Sequence, residues 1–441
     1  MTNASRGRLA AWTLAALLSA CVNPPSTPVG AQTQPAPLLV ATDAPAAPTA
    51  AAAPAAPAAA RAAVTPRGPE RTFVAPDPIP FEASVERAGS QLLADAQAQV
   101  GDEARTVVID PLIDANTGAQ TVSTVRMGEK LQALLKQGHP GWTLKPLTRA
   151  TLESRPLLLI GTLTPVTVER SIDKQPDAFR VWLTMIDLRT QRVVAKQLDR
   201  ATVASVDPEP LRYFRDSPSW HRDKTVAGYI NSCQVNTRIG DAADPDYLQR
   251  LPGAAVLNEA MLAYNDGKVP EANKLYKEAR GLTDPGDLRL LNGLYLTSWQ
   301  LGHRDEAKEA FSHLVDSGLE ARRLPVKLLF KPGTVLFNDI GDLGTQYQMW
   351  LGAIADEAGK APVCVRVTGH TSRTGSASAN ERLSLRRAEA IAQALTTRNR
   401  SLGARLKVAG AGSREALVGL GTDDQRDALD RRVEFKVVDC V

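Results

Sequence analysis

The chain has 441 residues, which is enough for about two to four domains with ordinary hydrophobic cores. Hydrophobic residues make up 43% and charged residues 23%, which are globular averages, so composition alone selects no class of protein. The formal net charge of +4 is too small to indicate nucleic-acid binding, and no basic run is interleaved with aromatic residues. Residues 327–441 hold 17 Lys and Arg against 13 Asp and Glu, so the whole excess lies there. Any preference for anions therefore belongs to the C-terminal part.

Residues 1–20 have the pattern of an export signal. Two arginines precede the apolar run LAAWTLAALL, which is too short to span a bilayer. The run ends in Leu-Ser-Ala followed by Cys21, an order that resembles the bacterial lipoprotein signal. The resemblance implies that Cys21 becomes a lipidated N-terminus, and Val22 rather than Asp after it favours the outer membrane. The alternative is an ordinary signal peptide that contains a cysteine.

Residues 21–82 are predicted to form a disordered tether. Ala, Pro and Thr dominate this segment, and almost no aromatic or branched apolar side chain is present to offset the entropy of ordering. Recurrent proline interrupts every candidate helical turn and favours extended polyproline II. Such a segment suits a domain held away from a membrane surface; an inert spacer is the alternative.

Residues 100–245 are predicted to form an α/β domain. A strand enters a turn at 104–114, a helix covers Thr121–Gln137, and a short helix closes the domain at 224–235. Four further strands are predicted at 142–147, 156–166, 179–188 and 193–203, and the last two form a hairpin. The pattern distantly resembles small α/β domains of periplasmic lipoproteins that assist secretion or wall synthesis.

Residues 250–322 contain an internal repeat with an offset of 35 residues. The repeat aligns three pairs: Gly267 with Gly302, Ala272 with Ala307, and Tyr276 with Phe311. A glycine between two amphipathic helices, followed by Glu-Ala and an aromatic residue, resembles the tetratricopeptide repeat. The resemblance implies docking of an envelope protein, and a helical spacer is the alternative. Two units are few for a free-standing solenoid, so we expect them to pack against a neighbouring domain.

Residues 325–441 are predicted to form a two-layer βαβαββ sandwich. A strand run with a Pro-Gly turn precedes a helix at Leu343–Ala358, and a strand at 361–370 leads to a helix with Asn380 as its predicted N-cap. Two strands at 404–412 and 431–440 complete the order. The fold class of the whole chain is therefore α/β multidomain, with a two-unit helical repeat between the two α/β parts.

Several motifs of this last domain occur together in one order. They are Gly369-His370-Thr371, then Gly375, Asn380-x-x-Leu383-Ser384-x-x-Arg387-Ala388, Gly410-x-Gly412 and Arg431-Arg432-Val433-Glu434. In this order they resemble the OmpA-like C-terminal domain. The resemblance implies non-covalent binding of peptidoglycan through the diaminopimelate residue of its stem peptide. The implied binding residues are Thr371, Ser372, Gly375, Asn380, Leu383, Ser384, Arg387 and Arg431.

Diaminopimelate offers a carboxylate and an ammonium group together. The carboxylate suits free N–H groups at a helix start and a forked guanidinium, the role that the resemblance gives Arg387. The family normally has Asp after His-Thr to bind the ammonium, but Ser372 stands here. A hydroxyl carries no charge, so the site is predicted to be weakened unless Asp423, Asp424 or Asp430 replaces the missing carboxylate. Arg382 and Arg386 are predicted to lie on a solvated helix face.

Lipidation of Cys21 would leave three cysteines in an oxidising compartment. Cys364 and Cys440 lie at ends of two predicted strands, and a disulfide joins them if these strands are antiparallel neighbours. Cys233 then has no partner. No metal site is predicted at His370, because no second His or Cys lies at ligand spacing, and no cofactor is predicted.

No constellation of catalytic groups is evident. The chain has five histidines and no nucleophile elbow, zinc-protease motif or phosphate loop. Asp110 and Asp114 are the best acidic pair, and their position after a strand favours a turn-forming role. The predicted function is an outer-membrane lipoprotein that tethers the membrane to peptidoglycan. The alternatives are an accessory lipoprotein of a secretion or wall-synthesis machine and a wall hydrolase in residues 104–240.

Overall fold

The computed structural model describes residues 76–440, except 102, 139–140, 168–175, 235, 339–341, 418–420, 422–423 and 425. The predictions for the signal segment, for Cys21 and for nearly all of the tether lie outside the described residues. The described residues belong to one compact unit. No helix among them is both long enough and apolar enough to cross a bilayer.

The helices are α1 (Phe81–Val100), α2 (Val122–Gly138), α3 (Arg149–Glu153), α4 (Arg212–Asp216), α5 (Lys224–Cys233), α6 (Pro245–Asn265), α7 (Val269–Ala279), α8 (Leu288–Gln300), α9 (Arg304–Glu320), α10 (Leu343–Lys360) and α11 (Ala377–Arg398). The strands are β1 (Arg105–Ile109), β2 (Ile113–Asp114), β3 (Trp142–Leu144), β4 (Leu157–Val166), β5 (Ala178–Asp187), β6 (Arg192–Thr202), β7 (Leu328–Leu329), β8 (Cys364–Gly369), β9 (Leu406–Gly410) and β10 (Arg432–Val438).

The first sheet has the order β3-β1-β4-β5-β6, with β2 beside β4. Strands β1, β3 and β4 are parallel, and β5 and β6 form the antiparallel hairpin that the sequence predicts. Strand β4 is buried over most of its length because helices cover both faces of the sheet. One core contains residues of α1 and α2, and a second contains residues of α5 and α6. The predicted α/β class of this region is confirmed.

Helix α1 belongs to this α/β layer. Its buried residues Phe81, Val85, Leu92 and Ala96 pack in the same core as strands β4 to β6. Arg87 anchors the helix to β6 through two nitrogen–oxygen contacts of 2.6 Å with the Asp199 carboxylate. The layer therefore includes residues from about 81 onward, before the start at residue 100 that the sequence predicts.

The helical region consists of the hairpins α6–α7 and α8–α9. Gly267 and Gly302 take equivalent left-handed turns with φ of 78° and 80°. Ala272 and Ala307, like Tyr276 and Phe311, are fully buried at equivalent places. The tetratricopeptide assignment itself stays a prediction. Phe311 of α9 stacks on Trp350 of α10 with ring centroids 5.5 Å apart, so the repeats pack against the last domain.

The second sheet has the strand order β7-β10-β8-β9. The strands and helices of this last domain follow the predicted βαβαββ order along the chain. Strand β8 is antiparallel to β10 and parallel to β9. Val365, Val367 and Phe435 face the core that includes α10 and α11. Alternate residues of the same strands therefore lie on the face of the sheet away from these helices.

Cys364 and Cys440 are joined by a disulfide, with Cα atoms 5.2 Å apart. The bond is geometrically possible because Val438, two residues before Cys440, is paired with Cys364 across the antiparallel strands. The link closes the C-terminal end of the chain onto β8. Cys233 is buried and has no disulfide partner among the residues that the structure describes.

Candidate functional site

Helix α11 lies very close to strands β8 and β9. A Cβ atom added to Gly369 would be 1.9 Å from the carbonyl oxygen of Ser384, and one added to Gly410 would be 2.7 Å from the Ser384 hydroxyl. The Ser384 hydroxyl donates to the carbonyl of Glu381 and accepts from the N–H of Gly412, at 2.8 and 2.9 Å. The glycines and Ser384 of the motif therefore serve close packing that brings the helix start to the end of the sheet.

The loop between β8 and α11, residues 370–376, turns through Gly375 with φ of 86°. Ser376 caps the helix, because its hydroxyl accepts from the N–H of Ala379. Asn380 lies inside the first helical turns, and its amide donates to the carbonyls of Ser372 and Thr374 at 3.3 and 2.9 Å. The prediction of Asn380 as the N-cap is wrong. Its longer side chain reaches back across the turn and fixes the shape of this loop.

Arg387 is fully buried beneath this loop. Its Nη1 donates to the carbonyl of His370 at 2.8 Å, while Nε and Nη2 donate to the carbonyls of Thr334 and Lys331 at 2.9 and 3.0 Å. The guanidinium also lies over the Phe330 ring, 5.1 Å from its centroid. The turn after β7 thus covers the guanidinium. The sequence predicts a solvent-accessible Arg387 guanidinium at the helix start. In this conformation the guanidinium is buried instead and connects two loops.

The remaining loop residues divide into buried and open positions. Thr371 and Ser372 are buried, and the Ser372 hydroxyl lies 3.1 Å from that of Thr374. The Thr371 hydroxyl has no hydrogen-bond partner among the described residues. Residues 375–379 are exposed, Leu383 is half-buried, and Arg382 and Arg386 are exposed as predicted. The open part of the site is therefore the helix start itself.

Arg431 is a buried residue that donates to backbone carbonyl groups. It is 5% exposed, and it donates to the carbonyls of Phe330 and Asp424 at 3.3 and 3.2 Å. Among the predicted substitute acids, Asp430 is buried and accepts from the N–H of Leu417 at 2.6 Å, so it does not face the loop as an open carboxylate. Asp424 is exposed, and Asp423 lies outside the described residues.

His370 is 1% exposed, and neither ring nitrogen has a hydrogen-bond partner among the described residues. Desolvation, together with the nearby charges of Arg432 and Arg414, lowers the pKa of His370 from 6.5 to about 2. The Glu415 carboxylate approaches Nδ1 only to 3.8 Å. The imidazole is therefore neutral in the folded protein. The described residues contain no group of three or more His, Cys, Asp or Glu side chains suited to a metal ion.

This burial predicts a pH dependence of stability. The unfolded chain binds a proton at His370 below about pH 6.5, whereas the folded chain does so only near pH 2, so the free energy of unfolding falls as the pH decreases through that window. Denaturant titrations between pH 6 and 4 give the free energy of unfolding at each pH. His370→Gln is expected to reduce its slope against pH by about 1 kcal/mol per pH unit. The exposed His313→Gln variant is the control. If the free energy of unfolding changed with pH equally in the native protein and in His370→Gln, His370 would not be the source of the pH dependence.

Asp110 and Asp114 are held by separate hydrogen bonds. The Asp114 carboxylate accepts from the N–H groups of Asn116 and Thr117 at 3.0 and 2.8 Å, which confirms its turn-forming role. Burial raises the pKa of Asp114 to about 6, and hydrogen bonds from Thr117 and Asn116 act in the opposite direction. Asp110 accepts from the hydroxyl of Tyr247 at 2.5 Å, and this bond connects the end of β1 to α6.

The C-terminal part of the chain is similar to known proteins. Residues 341–429, less than half of the chain, match the model of the OmpA family. No curated protein matches the chain significantly. Among solved structures, the peptidoglycan-associated lipoprotein from Burkholderia pseudomallei is 25% identical, with 27% of this chain and 92% of that chain covered and a TM-score of 0.23.

Two further solved structures are similar over the same share of the chain. The cell wall anchor of the T6SS from Pseudomonas aeruginosa is 23% identical, with 29% of this chain and 96% of that chain covered and a TM-score of 0.22. The periplasmic domain of Helicobacter pylori MotB is 20% identical, with 26% and 74% covered and a TM-score of 0.22. The match to the family model identifies residues 341–429 as an OmpA-family domain.

Proposed function

We propose that residues 325–441 bind peptidoglycan non-covalently and anchor the chain to the cell wall. The observation that carries the proposal is the match of residues 341–429 to the OmpA family. The placement of the motif residues supports it, because Thr371, Ser372 and Gly375 form one loop that Asn380 and Arg387 hold through its carbonyl groups. Co-sedimentation of the full chain with purified sacculi tests the proposal.

The wall peptide contacts the loop at its exposed end. Residues 375–379 are open to solvent at the start of a 22-residue helix, where backbone N–H groups and the helix dipole favour a carboxylate. Arg387 acts from beneath as a positioning residue, because its guanidinium bonds fix the carbonyl of His370 and the neighbouring turn. A direct contact of Arg387 with a ligand requires the turn at Lys331–Thr334 to move away.

Ser372 weakens the binding of a zwitterionic ligand such as diaminopimelate, because it lacks a negative charge for the ammonium group. The ammonium group reaches this buried hydroxyl only where the loop opens, and it then meets a neutral acceptor, whereas a carboxylate would form a charge-assisted hydrogen bond. Ser372→Asp is therefore expected to tighten binding to sacculi by about ten- to a hundredfold, as measured by co-sedimentation. Arg382→Asp, which adds an acidic side chain at an exposed position of α11, is the comparison variant. Equal affinities of the native chain and Ser372→Asp would contradict this view of the site.

The same proposal includes attachment to the outer membrane. Cys21 carries the lipid, the Ala/Pro-rich segment spans the gap to the wall, and the α6–α9 hairpins dock an envelope protein. The support is the order of residues at Cys21 and the composition of the following segment. Labelled palmitate is expected to be incorporated into the native chain and not into Cys21→Ser. Equal labelling of the two would remove the lipid anchor from the proposal.

A further inference from the structure

Three basic side chains lie in a row across the second sheet. Lys436 of β10 is directly opposite Arg366 of β8, and Arg366 is directly opposite Lys407 of β9. All three are exposed, and they lie on the face away from α10 and α11, since their strand neighbours Val365 and Val437 face the core. Adjacent strands are about 4.8 Å apart, so the row extends over about 10 Å. We refer to these three residues as the basic row.

The charges of the basic row are not compensated within the described part of the chain. Like charges directly opposite each other destabilise a sheet. No described residue forms an ion pair or hydrogen bond with the side chain of Arg366, Lys407 or Lys436, whereas nearby acids are paired with other cations. Glu434 accepts from Arg432 at 2.6 Å, and Asp439 is paired with Arg322 at 2.6 Å.

The arrangement is that of a receptor for a line of negative charges. Beside the row on the same face, Thr368 and Ala409 are uncharged, and the Glu434 carboxylate is neutralised by Arg432. The strands of this sheet carry no exposed large hydrophobic side chain on this face, because Val408 of β9 is paired with Val367 on the helix side. A protein surface that binds a membrane usually has a broader basic patch and apolar side chains that insert into the lipid. A linear polymer with negative charges can bind to a single row of basic side chains.

We propose that the basic row binds carboxylates of the wall polymer as it crosses the strands of the sheet. This inference rests on the proposed function, because it adds a second contact to the wall-binding loop. The second contact is electrostatic and exposed to solvent, so it weakens as salt increases. The loop contact depends on fitted hydrogen bonds at the helix start, so it is less sensitive to salt. The two contacts are therefore separable by ionic strength.

The test is the salt dependence of sacculus binding by the full chain. Compared with native protein, the triple variant Arg366→Gln, Lys407→Gln, Lys436→Gln is expected to bind about fivefold more weakly in 20 mM salt and about equally well in 500 mM salt. The control variant Lys274→Gln, Arg280→Gln, Lys308→Gln removes the same charge from exposed positions of the helical hairpins. It is expected to bind as the native protein does.

The triple variant is expected to melt at or above the temperature of the native protein, because it relieves like-charge contacts. A binding curve that matches the native curve at every salt concentration would overturn the basic row as a wall contact. A native chain that fails to sediment at any salt concentration would instead overturn the proposed function. Vesicles of phosphatidylglycerol, compared with phosphatidylcholine, test the lipid alternative. If the triple variant lost binding to phosphatidylglycerol vesicles but kept native binding to sacculi, the row would be assigned to a membrane surface and the inference would be overturned.

Discussion

Arg387→Ala is expected to lower the free energy of unfolding by about 3–5 kcal/mol. The substitution removes the donors that satisfy the carbonyls of Lys331, Thr334 and His370, and it leaves a cavity above the Phe330 ring. Because these bonds connect the turn after β7 to the loop after β8, the loop also loses its shape. Denaturant titration measures the first effect, and co-sedimentation with sacculi below the melting temperature measures the second.

The neighbouring residue provides the matched control. Arg386 is exposed on the same helix, so Arg386→Ala is expected to change stability by less than about 0.5 kcal/mol and to leave wall binding intact. Arg387→Lys keeps the charge but offers one nitrogen in place of three, so it is expected to recover only part of the loss. If Arg387→Ala were as stable as Arg386→Ala, the account of Arg387 as the connection between the two loops would be wrong.

Gly369→Ala is expected to cost about 3 kcal/mol or more in stability. Its added Cβ would lie 1.9 Å from the carbonyl oxygen of Ser384, and that oxygen belongs to the backbone of α11. No side-chain rotation relieves such a contact, so the helix has to move away from the sheet. The movement would also displace the helix start from the loop, and wall binding is expected to fall together with the melting temperature.

Gly352→Ala is the control for this substitution. Gly352 lies inside α10, and apart from the helix's own nearby backbone no atom is within 4 Å of the position that its Cβ would occupy. Because alanine favours helix over glycine, this variant is expected to be about 0.5–1 kcal/mol more stable than the native protein. Equal effects of Gly369→Ala and Gly352→Ala would show that close packing at β8 does not explain the glycine of the motif.

Periodic elements could be predicted from the sequence because their signals are local. The apolar spacing in 343–358 and the alternation in 431–440 correspond to α10 and β10. Helix α1 is not among the predicted elements, because the Ala/Pro composition favours disorder up to residue 82. Its helical face of Phe81, Val85, Ala88 and Leu92 begins directly after Pro80.

The details of the site depended on contacts between distant parts of the chain. A charged side chain is normally exposed, and nothing local to Arg387 shows that its acceptors lie more than 50 residues earlier, at Lys331 and Thr334. The sequence predicts Asn380 as the N-cap, whereas Ser376, also a good capping residue, caps the helix. Packing of α11 against Gly369 and Gly410 decides which turn begins the helix, and that contact belongs to the tertiary structure.

The most direct test of wall binding at the loop between β8 and α11 is co-sedimentation of the full chain with purified sacculi. The native chain and Arg382→Ala are expected to sediment alike, because Arg382 is exposed outside the loop. Asn380→Ala is expected to bind at least about tenfold more weakly while remaining folded, because it removes the bonds to the carbonyls of Ser372 and Thr374. Binding by a folded Asn380→Ala variant as tight as that of the native chain would contradict the account.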